Sequence, residues 1–388
     1  MAGMQSVARR TDDSQLTDWY FGTDRWLLLY VGIMIFVGMI AAISTGSANE
    51  IRTFGKYPWY HFFVKMLPFY LVGIGTLLAT SMFSKKWVLR IAWLNVIVCL
   101  PLLLFTFIHP QIVNGSTRWV VLGGLRLMPS DIMKPGFVII TAWFLMRLKE
   151  KFGDNIFLNR DVWKFNWNSW WPYLIVFLIV LGIMFKQPDV GTSILYFCVL
   201  GTMLFVAGLP KKILVILGGI LACGGLMAFF LFNHVHERIT DFFFKPLDPH
   251  TQVGYAVNAI RQGGLFGMGD EAFAAENLPM AENDFVFAAL VEDFGALAGC
   301  ALLFLLVLVI KRLIDSAKSA QDKFVLYVVT GTTALFSVQA CMNLATTLHI
   351  MPPKGMTLPF ISFGGSSFLG FCLLFGFTLA LIREDKWK

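Results

Sequence analysis

Four short stretches of this 388-residue chain put charged or hydroxyl side chains beside long apolar runs. Such groups are costly in hydrocarbon unless they face protein or water, so each is a candidate for chemistry. Asp284 stands just before Phe285-Val-Phe-Ala-Ala-Leu290. Partial burial there would raise its carboxyl toward the range useful to a general base, although an Asp at a helix start can also be a plain N-cap. Glu292 and Asp293 follow inside the same apolar run and need a partner or a polar cavity. Arg118 and Arg126 precede Pro129-Ser-Asp131-Ile-Met-Lys134. Asp131 and Lys134, three residues apart, share a helix face. They make either a structural ion pair or a cationic phosphate site oriented by the carboxylate.

The third stretch is Gln187-Pro188-Asp189-Val190-Gly191-Thr192-Ser193. Pro188 and Gly191 suit a tight turn, and Asp189 and Thr192 suit a helix N-cap, which leaves structural and substrate-facing roles open. The fourth runs from Pro353-Lys354-Gly355 through Ser362 to Gly364-Gly365-Ser366-Ser367. Prolines, glycines and hydroxyls at a span start predict broken helix with free backbone N–H groups. Such backbone survives at membrane depth only beside protein or a polar cavity, and glycine turns and helix starts hold anions. Lys354, Ser362 and Ser366 are therefore candidates for substrate contact or for packing.

The elements that must position these groups are membrane helices. Hydrophobic residues make up 57% and charged residues only 14% of the chain, where a soluble domain carries about 25% charged. Mean hydropathy is +0.69. A spanning helix needs roughly 20 mostly apolar residues. Runs of that kind lie at 26–44, 63–82, 88–108, 129–147, 171–186, 190–209, 212–233, 285–310, 324–348 and 360–382. The fold class expected is an all-α integral membrane protein of about ten spans. Its parts are an N-terminal tail (1–25), one polytopic domain (26–383) with a large outer loop (234–284), and a short C-terminal tail (384–388).

The net charge of +7 does not argue for nucleic acid, because Lys and Arg sit mostly in short loops. With the N-terminus in the cytoplasm, about 20 of the 31 basic residues fall on the cytoplasmic side, as the positive-inside rule requires. Trp19, Trp26, Trp59, Trp87, Trp119, Trp170 and Trp171 lie near span ends, where aromatic rings anchor helices at the interface. Residues 1–26 carry Arg9 and Arg10 but no apolar core of a cleavable signal, so the first span is expected to direct insertion. The six cysteines all fall in apolar runs without metal-ligand spacing and read as packing residues. The outer loop holds acids including Asp241, Asp270, Glu271, Glu276 and Glu282, with glycines at 254, 263, 264, 267 and 269. Connections this long are functional or disordered, and its composition favours an ordered, partly re-entrant segment. No internal repeat is visible, which counts against an inverted-repeat transporter.

Taken in order, these segments resemble the SEDS (FtsW/RodA/SpoVE) family of cell-wall glycosyltransferases. Gly115-Ser-Thr-Arg118-Trp119 and Pro129-Ser-Asp-Ile-Met-Lys134 are similar to its first outer loop and fourth span. The Gln187-Pro-Asp189 turn resembles another of its motifs. Arg238 to Pro249, Ala259-Ile260 and the loop glycines look like its large outer loop, and Leu358-Pro-Phe-Ile-Ser-Phe-Gly-Gly-Ser-Ser367 like its C-terminal motif. Lys354-Gly355-Met-Thr-Leu looks more like the division (FtsW) branch than the elongation (RodA) branch. There are departures. The family's Pro-Glu-x-His-Thr-Asp-Phe run reads Pro279-Met-Ala-Glu282-Asn283-Asp284-Phe285 here, its Tyr-Gln reads Tyr255-Ala256, and its fourth-span Glu is Asp131.

The resemblance implies a peptidoglycan glycosyltransferase of the bacterial inner membrane, with both termini cytoplasmic and the active site periplasmic. It would polymerise lipid II during division, with Asp284 as base and Arg118 and Lys134 meeting the leaving pyrophosphate. Asp131, Gln187, Asp189, Lys354, Ser362 and Ser366 would complete the substrate contacts. A divalent cation, Mg or Mn, could assist, although no ligand set specifies one. Expected partners are a class B, FtsI-like penicillin-binding protein, other divisome proteins and membrane lipid, with no nucleic acid. The alternatives are a lipid II flippase or transporter, a RodA-like elongation polymerase, and an inactive scaffold for a partner synthase.

Overall fold

A computed structural model describes residues 15–386, apart from 55–59, 114–115, 123–124, 154–155, 159–161, 163, 165–168, 270–271, 273–277 and 279–280. Arg9, Arg10, Trp59, Asp270, Glu271, Glu276 and the motif residues Gly115, Pro279 and Met280 lie outside the described residues.

The chain is helical, as expected. Helices α1 (Gln15–Gly22), α2 (Arg25–Phe54), α3 (Tyr60–Ser81) and α4 (Lys85–Ile108) come first. A small sheet follows: β1 (Gln111–Val113), β2 (Ser116–Leu122) and β3 (Leu125–Leu127). The strands are antiparallel in the order β1-β2-β3. Then come α5 (Pro129–Phe152), α6 (Trp171–Lys186), α7 (Val190–Val206), α8 (Lys211–Leu231), α9 (Asn233–Phe244) and α10 (Gln252–Gln262). The last three are α11 (Val286–Ser319), α12 (Lys323–Thr347) and α13 (Gly365–Asp385).

Among the described residues, seven helices are long and apolar enough to cross a membrane: α2, α3, α4, α8, α11, α12 and α13. Helices α6 and α7 are apolar but shorter. Helix α5 is 24 residues long and carries Asp131, Lys134 and a basic last turn. The ten helices thus fall where the ten apolar runs predict them, with shifted ends. The final helix starts at Gly365 rather than 360, because Pro359 and the glycines hold the preceding segment in turns. Helix α11 runs on to Ser319, nine residues past the expected end. The sheet is the element the span reading missed.

Packing places α12 and α13 at the centre. Of their most apolar stretches 72% and 83% is buried, against 6% for α8. Helix α13 packs most extensively on α3, and α12 on α11, α7 and α5. Buried Phe336, Phe360, Phe371 and Phe375 interlock edge-on between α12, α13 and the loop that joins them. Helix α8 meets mainly α7 and α9.

The stretch expected as an N-terminal tail contains α1, whose Trp19 indole donates to Ser81 Oγ at 2.8 Å. At the same end, buried Asp24 accepts from Arg312 Nε, and Lys85 pairs with Asp322 at 2.7 Å. The opposite end holds the sheet, α9, α10 and the approach to α11. There α11 breaks at Gly295 (φ 87). The loop after α10 docks into the break, with Met268 N–H on Glu292 O and Ala296 N–H on Gly264 O.

Candidate functional site

The site forms at the end of the bundle away from the Lys85, Arg312 and Asp322 contacts. Strand β2 brings Arg118. It can do so because Thr-Arg-Trp-Val-Val-Leu is rich in residues that suit a pleated strand, and because β2 ties to the turn before α7 through Thr117 N–H and Gln187 O. That turn brings Asp189 to the cap position of α7. Its side chain makes no cap bond. It turns instead to Arg118 Nη1 at 3.4 Å, with only 1% of the side chain exposed. Asp189 thus holds the expected N-cap position without the cap bond, because an arginine takes its carboxylate. Among the described residues Asp189 Oδ2 and Arg118 Nε have no hydrogen-bond partner.

The loop between α12 and α13 brings Lys354 and Gly355. The aliphatic stem of Lys354 lies over Gly191, where any Cβ would collide with it. A Cβ on Gly355 would sit 2.8 Å from Asp284 Oδ2 and 3.7 Å from Arg118 Nη2. These two glycines let three chain segments close to contact distance. Asp284 is not an N-cap. Phe285 holds that position at the start of α11, and the Asp284 side chain points at Gly355.

Electrostatics follow from this packing. Burial lifts the Asp284 carboxyl to about 6, and Glu282 and Asp131 add to the rise, while Arg118 and Arg238 hold it down. Burial lowers the Lys354 ammonium to about 8. Asp189 opposes that drop, and Arg118 and Arg238 deepen it. Arg238, on α9, is lowered by burial and by Arg118, and supported by Asp284. Among the described residues neither Arg238 nor Lys354 lies within ion-pair distance of a carboxylate. Arg118, Arg238 and Lys354 repel one another beside two buried carboxylates, Asp189 and Asp284, and such a cluster of cations is a seat for an anionic group.

The other expected residues sit deeper. Lys134, 1% exposed, pairs with Asp131 at 2.5 Å and donates to Gln339 Oε1 at 2.6 Å. Asp131 and Gln339 thus hold Lys134, while Arg118 acts on Asp284. Gln187 Nε2 donates to Thr106 Oγ1 at 2.6 Å and to Leu103 O. Ser362 Oγ accepts from Leu358 N–H, and Ser366 Oγ from Met128 N–H. All three are buried.

Sequence reasoning passed over Arg238 as a site residue, and also Gln339 and Asn343. The signal for the last two was present: two carboxamides four apart share one face of an otherwise apolar helix. As for a divalent cation, no three His, Cys, Asp or Glu side chains group to hold a metal among the described residues. Asp284 is faced by Arg118 and Arg238 as well as by Glu282 and Asp131, and without three ligands of that kind grouped together the described residues do not fit a metal site.

Fold and site together define a multi-pass membrane protein with a raised carboxylate among arginine and lysine side chains at one end of its bundle. The "Cell cycle protein" family of FtsW, RodA and SpoVE matches residues 25–386, and the chain belongs to it. A relative from Caulobacter vibrioides, described as a probable peptidoglycan glycosyltransferase FtsW, is 31% identical over 97% of this chain and 93% of its own length. One of the same description from Thiomicrospira cyclica is 31% identical over 94% and 93%. Among solved structures, a chain of a peptidoglycan synthase complex superposes with a TM-score of 0.71 at 23% identity, covering 94% of this chain and 99% of that one. The Thermus thermophilus rod-shape protein RodA gives 0.65 at 21%, covering 94% and 97%. These likenesses show the shared fold.

Proposed function

We propose that the protein is a peptidoglycan glycosyltransferase that polymerises lipid II into glycan strands during cell division. The observation that carries this reading is the Asp284 carboxylate, seated on Gly355 and faced by Arg118 and Arg238, with Lys354 adjoining. Lipid II carries a pyrophosphate beside its reacting sugar, and the site offers a base and cations in one place. The acceptor 4-hydroxyl attacks the anomeric carbon of the donor as Asp284 takes its proton. Such proton removal contributes roughly 10²–10⁴-fold. The bond from the anomeric carbon to the pyrophosphate oxygen breaks, and undecaprenyl pyrophosphate leaves. Arg118 and Lys354 meet the charge that develops on it, while Arg238 grips the pyrophosphate already charged in the bound substrate.

The protein would lie in the inner membrane with the site facing the periplasm. In support, Lys85, Arg312, Lys323 and Arg383 gather at the end of the bundle opposite Asp284. The division role follows the names of the curated relatives. A class B penicillin-binding protein would supply the crosslinking activity, as polymerization and crosslinking are coordinated in the synthase complex of like fold.

The test is lipid II polymerisation by the purified protein with that partner, its transpeptidase blocked, wild type beside Asp284→Asn. Glycan ladders from wild type alone are expected. Wild-type ladders from the variant overturn the assignment of the base. Headgroup translocation in vesicles without polymer overturns the enzyme reading itself.

A further inference from the structure

Asn343 stands on α12 with 1% of its surface exposed. Its amide nitrogen donates to two backbone carbonyls, that of Asp284 at 2.8 Å and that of Met356 at 2.6 Å. One carbonyl belongs to the approach to α11, the other to the loop after α12. Met356 adjoins Gly355, the residue on which Asp284 Oδ2 rests. A single nitrogen therefore ties the backbone of Asp284 to the backbone that forms its seat.

From this geometry we infer that Asn343 is a positioning residue for glycosyl transfer, locking Asp284 against the Lys354-Gly355 segment. The inference rests on the reading of Asp284 as the base. A primary amide suits the task because it gives two N–H donors from one atom without bringing a charge into the bundle. Asp has the same shape and, when ionised, accepts only, and Leu has similar bulk and no donor.

The rest of the loop has other supports. Gln339, one turn earlier, donates to Thr357 O at 2.9 Å and to Thr357 Oγ1 at 3.1 Å. Thr357 Oγ1 donates to Ser367 Oγ at 2.8 Å, and Phe363 N–H reaches Glu282 O at 2.9 Å. Removing the Asn343 amide thus frees Asp284 from its seat while the loop stays braced.

The charged groups facing Asp284 are Arg118 from β2, Arg238 from α9, Asp131 from α5 and Glu282 from its own segment. With the seat loosened, water reaches the carboxylate, burial weakens, and its titration moves down toward the ordinary carboxylate range.

The experiment measures lipid II polymerisation against pH and substrate concentration for wild type, Asp284→Asn, Asn343→Leu and Gly355→Ala, with melting curves for each. In Asn343→Leu a fall in kcat of at least about tenfold is expected, with KM within about threefold, since misplacing a reacting group acts on the chemical step. The acid limb of its profile is expected to move from near 6 toward about 4. Unchanged kcat and acid limb in folded Asn343→Leu overturn the inference, as does a change confined to KM. If Asn343→Leu does not fold, Gly355→Ala decides, because it displaces the same carboxylate from the other side. The same two changes there sustain the inference, and wild-type behaviour overturns it. An active Asp284→Asn marks a different failure, that of the underlying reading.

Discussion

Two cations reach the site by opposite routes. Lys354 arrives on a loop fixed to α12, one of the most buried helices, and its stem is pinned over Gly191. Arg238 arrives on α9, which hangs from α8, the least buried of the seven long apolar helices. Val215 and Phe230 of α8 are 74% and 77% exposed, and Phe243 and Phe244 at the end of α9 are exposed too. Ring contacts of this arm with the rest of the described residues include Phe232 on Phe185 and Phe242 on His349. Segments with few buried contacts open at low free energy, and segments locked in a core do not. On the proposed mechanism, the difference assigns the reaction to the interior half and the grip on the anionic end of the substrate to the arm. Substitutions in the interior should therefore act on kcat, and substitutions in the arm on KM.

The strongest test of the interior half is Asp284→Asn. Loss of glycan synthesis by roughly 10²–10⁴-fold is expected, read from product ladders. The variant should melt at or above the wild-type temperature at pH 7. The folded carboxyl titrates near 6 rather than at its ordinary 3.8. Its ionisation therefore detracts from stability as pH rises from about 4 through about 6, and an amide removes that term. Arg118→Ala should act differently. It strands Asp189, 1% exposed, without its partner. A loss of stability of about 3 kcal/mol is expected in denaturant melts, with activity falling alongside.

Next comes pH. Asp284 must be ionised to accept a proton, and Lys354 must be protonated to meet a phosphate oxygen. Activity should rise through about 6 and fall through about 8, a bell set by the two groups. Lys354→Arg should extend the alkaline side, because guanidinium stays charged. A profile flat from 5 to 9 would remove both groups from the chemistry.

Much of this was legible before any coordinates. Apolar runs locate helices because hydrocarbon leaves the backbone no other partner, so the ten helices could be placed from composition alone. Asp284, Arg118, Asp189 and Lys354 were legible as charges flanking those runs. Their mutual facing was not, because it depends on what Gly191 and Gly355 allow to approach. The sheet escaped because a search for spans passes over three to seven residues. Its mark was a Gly-Gly pair between alternating β-prone residues, which reads as a hairpin. For Lys134, Gln187, Ser362 and Ser366 residue type left structural and substrate-facing roles open, and the family resemblance implied the latter. Whether a hydroxyl or amide faces a ligand or a neighbouring backbone group is decided by tertiary packing, and here each has a neighbour inside the protein.

The arm offers the smaller effects. Arg238→Ala should raise KM for lipid II about tenfold and leave kcat within a few-fold, since Lys354 and Arg118 stay in place. Phe242→Ala probes the same half without touching a charge. Phe242 meets His349 edge to face at 4.8 Å, and His349 sits in the left-handed region (φ 55) just past α12, on the loop that leads to Lys354. An aromatic pair of this kind is worth about 0.5–1.5 kcal/mol. Its loss should therefore lower the fraction of molecules with Arg238 at the site by up to roughly tenfold. The expected result is a rise in KM no larger than that of Arg238→Ala, and no further rise when the two are combined, because each removes the same grip. If Phe242→Ala lowers kcat instead, the arm belongs to the machinery of the reaction, and the division between the two halves fails.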